Sequence, residues 1–378
     1  MDDARTWLDR IRSLPLPDKV RVMNVCGGHE RSITMAGLRG ALPPQVELIP
    51  GPGCPVCVCP EEDIYAAIQL ARNGIIVAAF GDMLRVPCNA PKKEPRSLEQ
   101  AKAAGGDVRP VSSPEEVLAI ARENPQREVV FFAAGFETTT APVAGLLAQG
   151  LANENGGLPP NLSILLSGRL TWPAVALLLD SDTPGFDALV APGHVSTVMG
   201  PEEWQFVPEK HGIPAAVAGF NTESLLAAFY SVLRQVIEQR PFLDNCYPQV
   251  AQPGGNPTAR AILDQVMEVT DANWRGIGVI PGSGFSLRKE LGDLDARMRH
   301  SIDPDEDRKR AGEMPPGCDC ARVVLGKIYP NQCILYGKAC TPRKPIGPCM
   351  VSDEGACRIW WASGVREPEG GTHGREPS

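Results

Sequence analysis

The chain has 378 residues, of which 43% are hydrophobic and 22% are charged. This composition is typical of a globular protein of about two or three domains, and it excludes a fibrous or wholly disordered chain. The net charge is −8 and there is no run of Lys and Arg, so we expect no nucleic-acid binding. The N-terminus carries no secretory signal, and no apolar stretch reaches the roughly 18 residues that span a bilayer, so we expect a cytoplasmic protein without a membrane contact.

Short apolar runs alternate with amphipathic stretches over the first two thirds of the chain. Strands and helices that alternate in this way predict an α/β protein with parallel sheets. We expect two α/β domains that face a cleft, residues 1–118 and 119–250, followed by a linker and a small Cys-rich domain in residues 251–378 whose last residues, 366–378, are disordered. The predicted strands are 20–25, 46–49, 75–80, 129–134, 162–166, 188–191 and 215–218, and the predicted helices are 61–72, 114–122, 171–179 and 222–239.

Polar or Gly-rich loops follow six of the predicted strands directly. Ligands bind at the carboxyl ends of parallel strands, so these loops predict one shared cleft between the two α/β halves. The loops are CGGHE at 26–30, GPGCPVC at 51–57, GDMLR at 81–85, GFETTT at 135–140, GR at 168–169 and PGHVS at 192–196.

Twelve cysteines are an unusual number for a chain without an export signal. In a reducing compartment, clustered cysteines indicate metal binding or redox chemistry. Cys54 and Cys57 form a C-x-x-C motif between a predicted strand and a helix, where the helix N-terminus favours a thiolate and the spacing permits a disulfide. The alternative is half of a zinc site, which Cys59 and Cys88 would complete.

Two other loops combine residues that can carry chemistry. Cys26, His29 and Glu30 place a thiolate, an imidazole and a carboxylate within five residues, and Cys26 is a candidate iron ligand with the other two as second ligand, proton relay or support. The alternative is a tight turn with an inert, buried Cys and a hydrogen-bonded His. Glu137, Thr138 and Thr139 lie at a strand-to-helix turn, where the hydroxyls are either helix caps or pocket groups and the carboxylate could orient a thiol or move a proton.

The C-terminal segment contains six further cysteines among many Pro and Gly residues. Four of them have the spacing Cys318-x14-Cys333-x6-Cys340-x16-Cys357, with Cys320 and Cys349 between them. Four thiolates at long, irregular spacing suit an iron–sulfur cluster, and a structural zinc site is the alternative. Spacing alone leaves open which four of the six bind.

Taken together, CGGHE, GPGCPVC, GDMLRVP, GFETT, PGHVS and the closing C-x6-CTP…PCMVSxEGxC resemble the HypD family of [NiFe]-hydrogenase maturation proteins, from about residue 22 to residue 357. The resemblance implies two α/β domains around a cleft, a small domain with a [4Fe–4S] cluster, and a scaffold on which the Fe(CN)2CO unit of the hydrogenase is built. It implies that a small chaperone, HypC, shares the transiently bound iron with its CN and CO ligands. It also implies that the cyanide donor HypE docks on the pair, and that the hydrogenase large subunit is served indirectly.

Carried over residue by residue, the resemblance makes Cys26 the iron ligand, with His29 and Glu30 beside it. It makes Cys54 and Cys57 the redox-active pair, places Glu137, Thr138 and Thr139 in the cleft, and assigns the cluster to the four cysteines of the x14, x6, x16 spacing: Cys318, Cys333, Cys340 and Cys357. Three residues depart from the family pattern, because Cys59, Cys88 and Asn221 stand where Thr, Gly and Glu are usual.

These observations lead to three hypotheses for the function. The first is a maturation scaffold with redox activity, rather than a conventional turnover enzyme. The second is an iron–sulfur-dependent thiol–disulfide oxidoreductase, which would have no need of the CGGHE loop. The third is a zinc-stabilised interaction module, which metal analysis would identify by zinc in place of iron.

Overall fold

A computed structural model describes residues 3–152, 157–181 and 184–365, which form eleven β-strands and seventeen α-helices. The strands are β1 Val20–Cys26, β2 Val46–Gly53, β3 Ile76–Phe80, β4 Val108–Val111, β5 Val129–Gly135, β6 Leu162–Arg169, β7 Ala188–Pro192, β8 Ala215–Ala218, β9 Leu243–Asn245, β10 Met267–Trp274 and β11 Gly278–Leu287. The helices are α1 Ala4–Arg12, α2 Gly27–Met35, α3 Leu38–Ala41, α4 Pro55–Val58, α5 Glu61–Arg72, α6 Leu98–Ala103, α7 Pro114–Glu123, α8 Glu137–Leu151, α9 Thr171–Leu179, α10 Gly193–Met199, α11 Phe206–His211, α12 Thr222–Glu238, α13 Pro257–Val266, α14 Ala296–Arg299, α15 Pro304–Ala311, α16 Cys320–Val324 and α17 Ala356–Ala362.

The strands form two sheets that are mostly parallel, which confirms the predicted α/β class. The first sheet has the order β2-β1-β7-β8-β9, and all of its pairs are parallel. The second has the order β10-β11-β6-β5-β3-β4, in which only the pairs that involve β11 are antiparallel. Every residue of β5 and β6 is buried, as expected for strands that helices cover on both faces.

The two sheets are not built from the contiguous segments 1–118 and 119–250 that the sequence predicted. β1 and β2 pair with β7, β8 and β9, whereas β3 and β4 join β5 and β6 in the other sheet. The physical reason is that an apolar run fixes a strand locally, whereas the sheet that the strand joins depends on side chains far away in sequence. The boundary at residue 251 also needs correction, because β10 and β11 complete the second sheet. The predicted disordered end, 366–378, lies outside the described residues.

The Cys-rich segment packs against the first turns that follow β2. α16 contacts β2 and α4, and the short 3-10 helix Pro348–Met350 contacts α4. α17 packs on α2. The segment therefore lies next to both the CGGHE and the CPVC loops.

Three consecutive acidic residues at the start of α5 anchor the chain beyond β10. Glu61 pairs with Arg275, Glu62 with Arg308 at 3.0 Å and Asp63 with Arg297 at 2.6 Å, and all three carboxylates are buried. Each carboxylate also lies at a helix N-terminus, where the helix dipole favours a negative charge. In the described part of the chain, no helix combines the length and the apolar character that a membrane crossing requires.

Candidate functional site

A cavity of about 120 Å³ lies where the carboxyl ends of strands from both sheets meet. Most of its lining residues lie at or just after the carboxyl ends of β1, β2, β5, β6, β7 and β8. Four of the six loops that the sequence analysis singled out contribute lining residues. The lining residues are Cys26, Gly53, Pro55, Phe136, Thr138, Thr139, Thr171, Pro192, His194, Val195, Phe220 and Glu354.

Cys26 is the last residue of β1 and caps the N-terminus of α2. The two glycines that follow it are required by close neighbours, because a Cβ on Gly27 would overlap Glu354 and a Cβ on Gly28 would overlap the ring of Phe220. Burial raises the pKa of the Cys26 thiol to about 12, with a further contribution from the Glu354 carboxylate. The thiol is therefore neutral until a bound cation displaces its proton.

His29 is fully buried and holds a single tautomer. Its Nε2 lies 3.0 Å from the carbonyl oxygen of Ala218, and because a carbonyl only accepts, Nε2 carries the hydrogen. Nδ1 is then an acceptor, and it has no hydrogen-bond partner among the described residues. Burial lowers the pKa of His29 to about 4, so the imidazole is neutral at physiological pH. Its ring packs on Phe220 with centroids 4.8 Å apart.

Glu30 is buried beside the cavity but does not line it. Its carboxylate pairs with Arg39 at 2.5 Å and lies 3.5 Å from the side-chain amide of Asn24. The Arg39 guanidinium in turn stacks over Trp360, 5.5 Å from the ring centroid. The contacts of Glu30 therefore join α2 to α17.

Cys54 and Cys57 form a disulfide, with their Cα atoms 5.2 Å apart. Cys54 caps the short helix α4, and its sulfur accepts a hydrogen bond from the Cys57 N–H at 3.2 Å. Cys59 and Cys88 are separate buried thiols. The Cys59 sulfur lies 3.6 Å from the Ser167 hydroxyl, and burial raises the pKa of both thiols to about 12.

The three residues predicted at the GFETTT turn take different positions. Thr138 and Thr139 line the cavity, whereas Glu137 is buried beneath it. The Glu137 carboxylate accepts hydrogen bonds from the backbone N–H and the hydroxyl of Thr171, both at 2.7 Å. Burial nevertheless raises the pKa of Glu137 to about 7. Glu137 thus ties the end of β5 to the start of α9 under the cavity.

Glu354 is a cavity residue that the sequence analysis missed. It precedes α17 in the Cys-rich segment, and burial, together with the Asp82 carboxylate, raises its pKa to about 7. No local pattern points to it, since a single acidic residue in a Cys-rich loop carries no periodicity or spacing. Thr171 and Phe220 were also missed, because neither residue stands in a motif of recognisable chemistry. His194, whose side chain is exposed, lies in the PGHVS loop that the sequence analysis singled out.

The six cysteines of the C-terminal segment lie together. The thiols of Cys318, Cys349 and Cys357 lie close to that of Cys320, and the interaction with Cys320 lowers the pKa of Cys318 to about 7 while raising the pKa of Cys320. Gly347 leaves room for the sulfurs of Cys318 and Cys320. The Cys340 sulfur accepts the Ile346 N–H at 3.3 Å.

These thiols are candidate ligands of either an iron–sulfur cluster or a single metal ion. Among the described residues, no three His, Cys, Asp or Glu side chains converge on one metal position. An iron–sulfur cluster has no such requirement, because each thiolate binds a different iron. The mutual contacts of Cys318, Cys320, Cys349 and Cys357 differ from the set Cys318, Cys333, Cys340 and Cys357 that the family spacing implies, so both sets remain candidates.

Comparison with known proteins gives a consistent family. The model of the HypD family, described as the hydrogenase formation hypA family, matches residues 2–364. The chain is 39% identical over 369 residues to hydrogenase maturation factor HypD of Azotobacter vinelandii, covering 96% of this chain and 94% of the relative. It is 41% identical over 347 residues to the HypD of Rhodobacter capsulatus, covering 91% and 89%, and 38% identical over 356 residues to that of Escherichia coli K12, covering 93% and 91%.

Proposed function

The chain belongs to the HypD family of hydrogenase maturation factors, and from this premise we propose that it is a scaffold and redox protein for assembly of the Fe(CN)2CO unit of the [NiFe]-hydrogenase active site. In this proposal the iron and its diatomic ligands are cargo. A HypC-type chaperone shares the iron, a HypE-type protein donates cyanide, the hydrogenase large subunit receives the product indirectly, and all of this takes place in the cytoplasm.

One observation carries the proposal: a thiol and a disulfide lie on neighbouring strand ends. Cys26 is paired in register with Gly53, the residue that precedes Cys54. A soft thiolate suits low-spin iron with strong-field ligands, and a disulfide that accepts two electrons and two protons becomes a dithiol. The ligand for the iron and a two-electron store are thus adjacent.

In this proposal, residues in and beside the cavity have separate roles. Cys26 must lose its proton when iron binds, and the Glu354 carboxylate, whose pKa is about 7, is a nearby group that can take the proton. The Thr138 and Thr139 hydroxyls can donate hydrogen bonds to polar ends of bound diatomic ligands. His29 does not line the cavity; its neutral ring packs on Phe220, which does, and its Nδ1 cannot donate because the hydrogen is on Nε2.

We assign a [4Fe–4S] cluster to the C-terminal cysteines, whose buried thiol donors suit it. When bound, such a cluster supplies one-electron transfers. α4, which carries the disulfide, packs against both α16 and the Pro348–Met350 helix. The helix that carries the disulfide thus contacts the Cys-rich segment, and its Pro55 lines the cavity.

Infrared spectroscopy tests the proposal. The full chain, copurified without oxygen with its small chaperone, should show cyanide and carbonyl stretches, and Cys26→Ser should abolish them because a serine oxygen is a hard ligand that keeps its proton. Cys246→Ser is the matched control, since the Cys246 thiol is not among the lining residues of the cavity. Bands that persist in Cys26→Ser place the iron elsewhere.

A thiol–disulfide oxidoreductase is the second candidate, which the disulfide itself favours. The two sulfurs belong to residues that are only 4% and 2% exposed, whereas exchange with another protein's disulfide needs an accessible sulfur. An assay of disulfide reduction in Cys26→Ser separates the candidates. The oxidoreductase keeps its full rate in this variant, and the scaffold loses its iron unit.

A further inference from the structure

The stretch between Asp319 and Asp353 has a charge unlike that of the rest of the chain. It contains five basic residues and no Asp or Glu, whereas the whole chain has a net charge of −8. All five basic side chains are exposed: Arg322, Lys327, Lys338, Arg343 and Lys344. Exposed charges of a single sign attract a partner surface of the opposite sign. The stretch is therefore a candidate contact surface for an acidic partner.

Three of these residues lie on two consecutive backbone turns. The first turn, residues 335–340, carries Lys338 and is closed by the Cys340 N–H, which donates to a carbonyl oxygen at 2.9 Å. The second turn begins directly after Cys340, carries Arg343 and Lys344, and is closed by two backbone hydrogen bonds of 3.0 and 3.2 Å. Among the described residues, these three basic side chains form no ion pair. Their charges are therefore available to a partner.

Arg85, from the loop that follows β3, adds a fourth positive charge at the second turn. Its Nη2 donates to the Pro342 carbonyl oxygen at 2.9 Å. Its guanidinium lies 3.9 Å from the Glu99 carboxylate, but both side chains are largely exposed, so water weakens this pair. We call the four residues the basic patch: Arg85, Lys338, Arg343 and Lys344.

The basic patch adjoins cysteines that reach the surface. Cys333 and Cys340 are 9% and 7% exposed, whereas Cys349 is fully buried. Ile334, which follows Cys333, is 67% exposed. An apolar side chain beside a charged rim is typical of protein–protein interfaces. A nucleic acid fits less well, because the chain as a whole is acidic and an exposed Ile has no contact to offer a phosphate.

We propose that the basic patch docks a small acidic protein that carries a one-electron donor, with Ile334 as an apolar contact. This inference rests on the [4Fe–4S] cluster of the proposed function, which the donor reduces from beside Cys340. In each encounter the donor group loses one electron and the cluster gains it, and no bond or proton changes. Complementary charge speeds the encounter more than it tightens the complex, which suits a partner that leaves after each electron.

Two measurements on the anaerobically purified full chain test the inference, with plant-type [2Fe–2S] ferredoxin as the acidic probe. Calorimetric titration with oxidised ferredoxin measures docking without electron transfer, and stopped-flow spectroscopy with reduced ferredoxin measures the rate of cluster reduction. The double variant Arg343→Glu, Lys344→Glu should weaken binding and lower the second-order rate constant about tenfold each at low ionic strength. The difference from wild type should vanish at about 1 M salt, where the Debye length is about 3 Å.

The double variant Arg240→Glu, Lys289→Glu is the matched control. It changes one Arg and one Lys, so its net charge shifts by the same amount as in the patch variant. Both residues are exposed and lie outside the basic patch, after α12 and after β11 respectively. Binding and reduction rate should match those of the wild type. Equal losses in the two double variants would show an effect of net charge and overturn the assignment to the patch.

The outcomes separate this inference from the proposed function. A patch variant with wild-type iron and sulfide content and with unchanged binding and rate overturns the inference alone. If the patch variant fails to assemble the cluster, Lys338→Glu on the other turn decides, and unchanged binding there overturns the inference. Tighter binding of a single-stranded oligonucleotide than of ferredoxin also overturns it. A wild-type chain that holds stoichiometric zinc and no sulfide overturns the cluster, and the inference with it.

Discussion

Burial determines the chemistry of the individual side chains around the cavity. Cys26 and His29 are both neutral near physiological pH, because burial disfavours the thiolate and the imidazolium alike. The cavity therefore presents soft or neutral donors until a cation enters. In the proposed function, the iron cargo would be held through the Cys26 thiol.

The effect of Glu354 on Cys26 gives a prediction at this scale. Glu354→Gln removes a like charge, so it should lower the pKa of Cys26 and speed its alkylation several-fold at a fixed alkaline pH. The rate is measured by mass spectrometry of the Cys26 peptide. Asp353→Asn, which changes the exposed neighbouring carboxylate, should leave the rate unchanged. Equal rates in Glu354→Gln and wild type would contradict the assigned contact.

Glu137 gives the second prediction, through pH and stability. Its pKa is about 7 in the folded protein and 4.5 as the reference value. The folded state therefore keeps a proton that the unfolded state has lost, and stability falls as pH rises through this interval. At about 1.4 kcal/mol per pKa unit, the free energy of unfolding decreases by roughly 3 kcal/mol over this interval.

Denaturant titrations at about pH 5 and about pH 8 should show this decrease, and the stability of Glu137→Gln should depend less on pH. The exposed change Glu123→Gln should behave as wild type, and a Glu137→Gln curve that falls as steeply as the wild-type curve would refute the assignment.

Sequence reasoning located several of the cavity residues that follow strands, but it missed Thr171 and Phe220, which also follow strands, and Glu354, which reaches the cavity from the Cys-rich segment. Cys26, Thr138 and Thr139 were found because a polar residue after a buried strand must lie at the sheet edge. Glu354 reaches the cavity only because the Cys-rich segment folds back on α2, and this packing has no local signature. For Glu30 the residue type indicated chemistry, whereas the structure gives it an ion pair with Arg39.

At the scale of elements, the first turn of α2 packs closely against its neighbours because its first two residues are glycines. Gly28→Ala would push its new methyl group into Phe220, so we expect α2 to shift at its N-terminus, a destabilisation of about 1–3 kcal/mol and weaker retention of iron. Thermal unfolding and infrared bands measure the two effects. Gly40→Ala is the control, since its added methyl group meets open space in α3, and it should not destabilise the fold.

The disulfide of α4 gives the fourth prediction. Alkylation before and after a reductant, read by mass, should show Cys54 and Cys57 gaining one label each. The helix that begins after Cys54 stabilises its thiolate once the bond opens. Cys59 and Cys88 are followed in the same digest as internal controls and should not change. If the reductant adds a label to Cys59 or Cys88 instead, that cysteine belongs to the redox pair and the assignment to Cys54 and Cys57 is wrong.

The strands that were predicted and those that were missed differ in the same way: the former have a local sequence signal, and the latter depend on pairing with distant residues. The seven predicted strands form because each is a buried apolar run. β10 was missed because four of its residues face solvent, and β11 because its Pro281–Gly284 sequence is typical of a loop. Both exist through their antiparallel pairing and the Trp274–Ser283 hydrogen bond of 2.8 Å.

At the scale of the molecule, the proposed cluster gives a prediction for the C-terminal segment. If the cluster is bound there, Cys340→Ala should lose iron and sulfide and lower the melting temperature, because metal binding is coupled to folding. Metal and sulfide analysis with thermal unfolding checks both. Cys246→Ser should keep its iron. Full iron content in Cys340→Ala would favour the Cys320 and Cys349 set of ligands.

The interleaved order of the first sheet has a consequence for synthesis on the ribosome. β1 and β2 leave the exit tunnel early, but the partner of β1 on its other side, β7, begins only at Ala188. At translation speeds of about 5–20 residues per second, the nascent chain waits roughly ten seconds or longer with that strand edge open. An open edge invites pairing with other chains. We therefore expect the yield of folded protein to depend on chaperones that cover nascent chains, and on codon usage between β2 and β7.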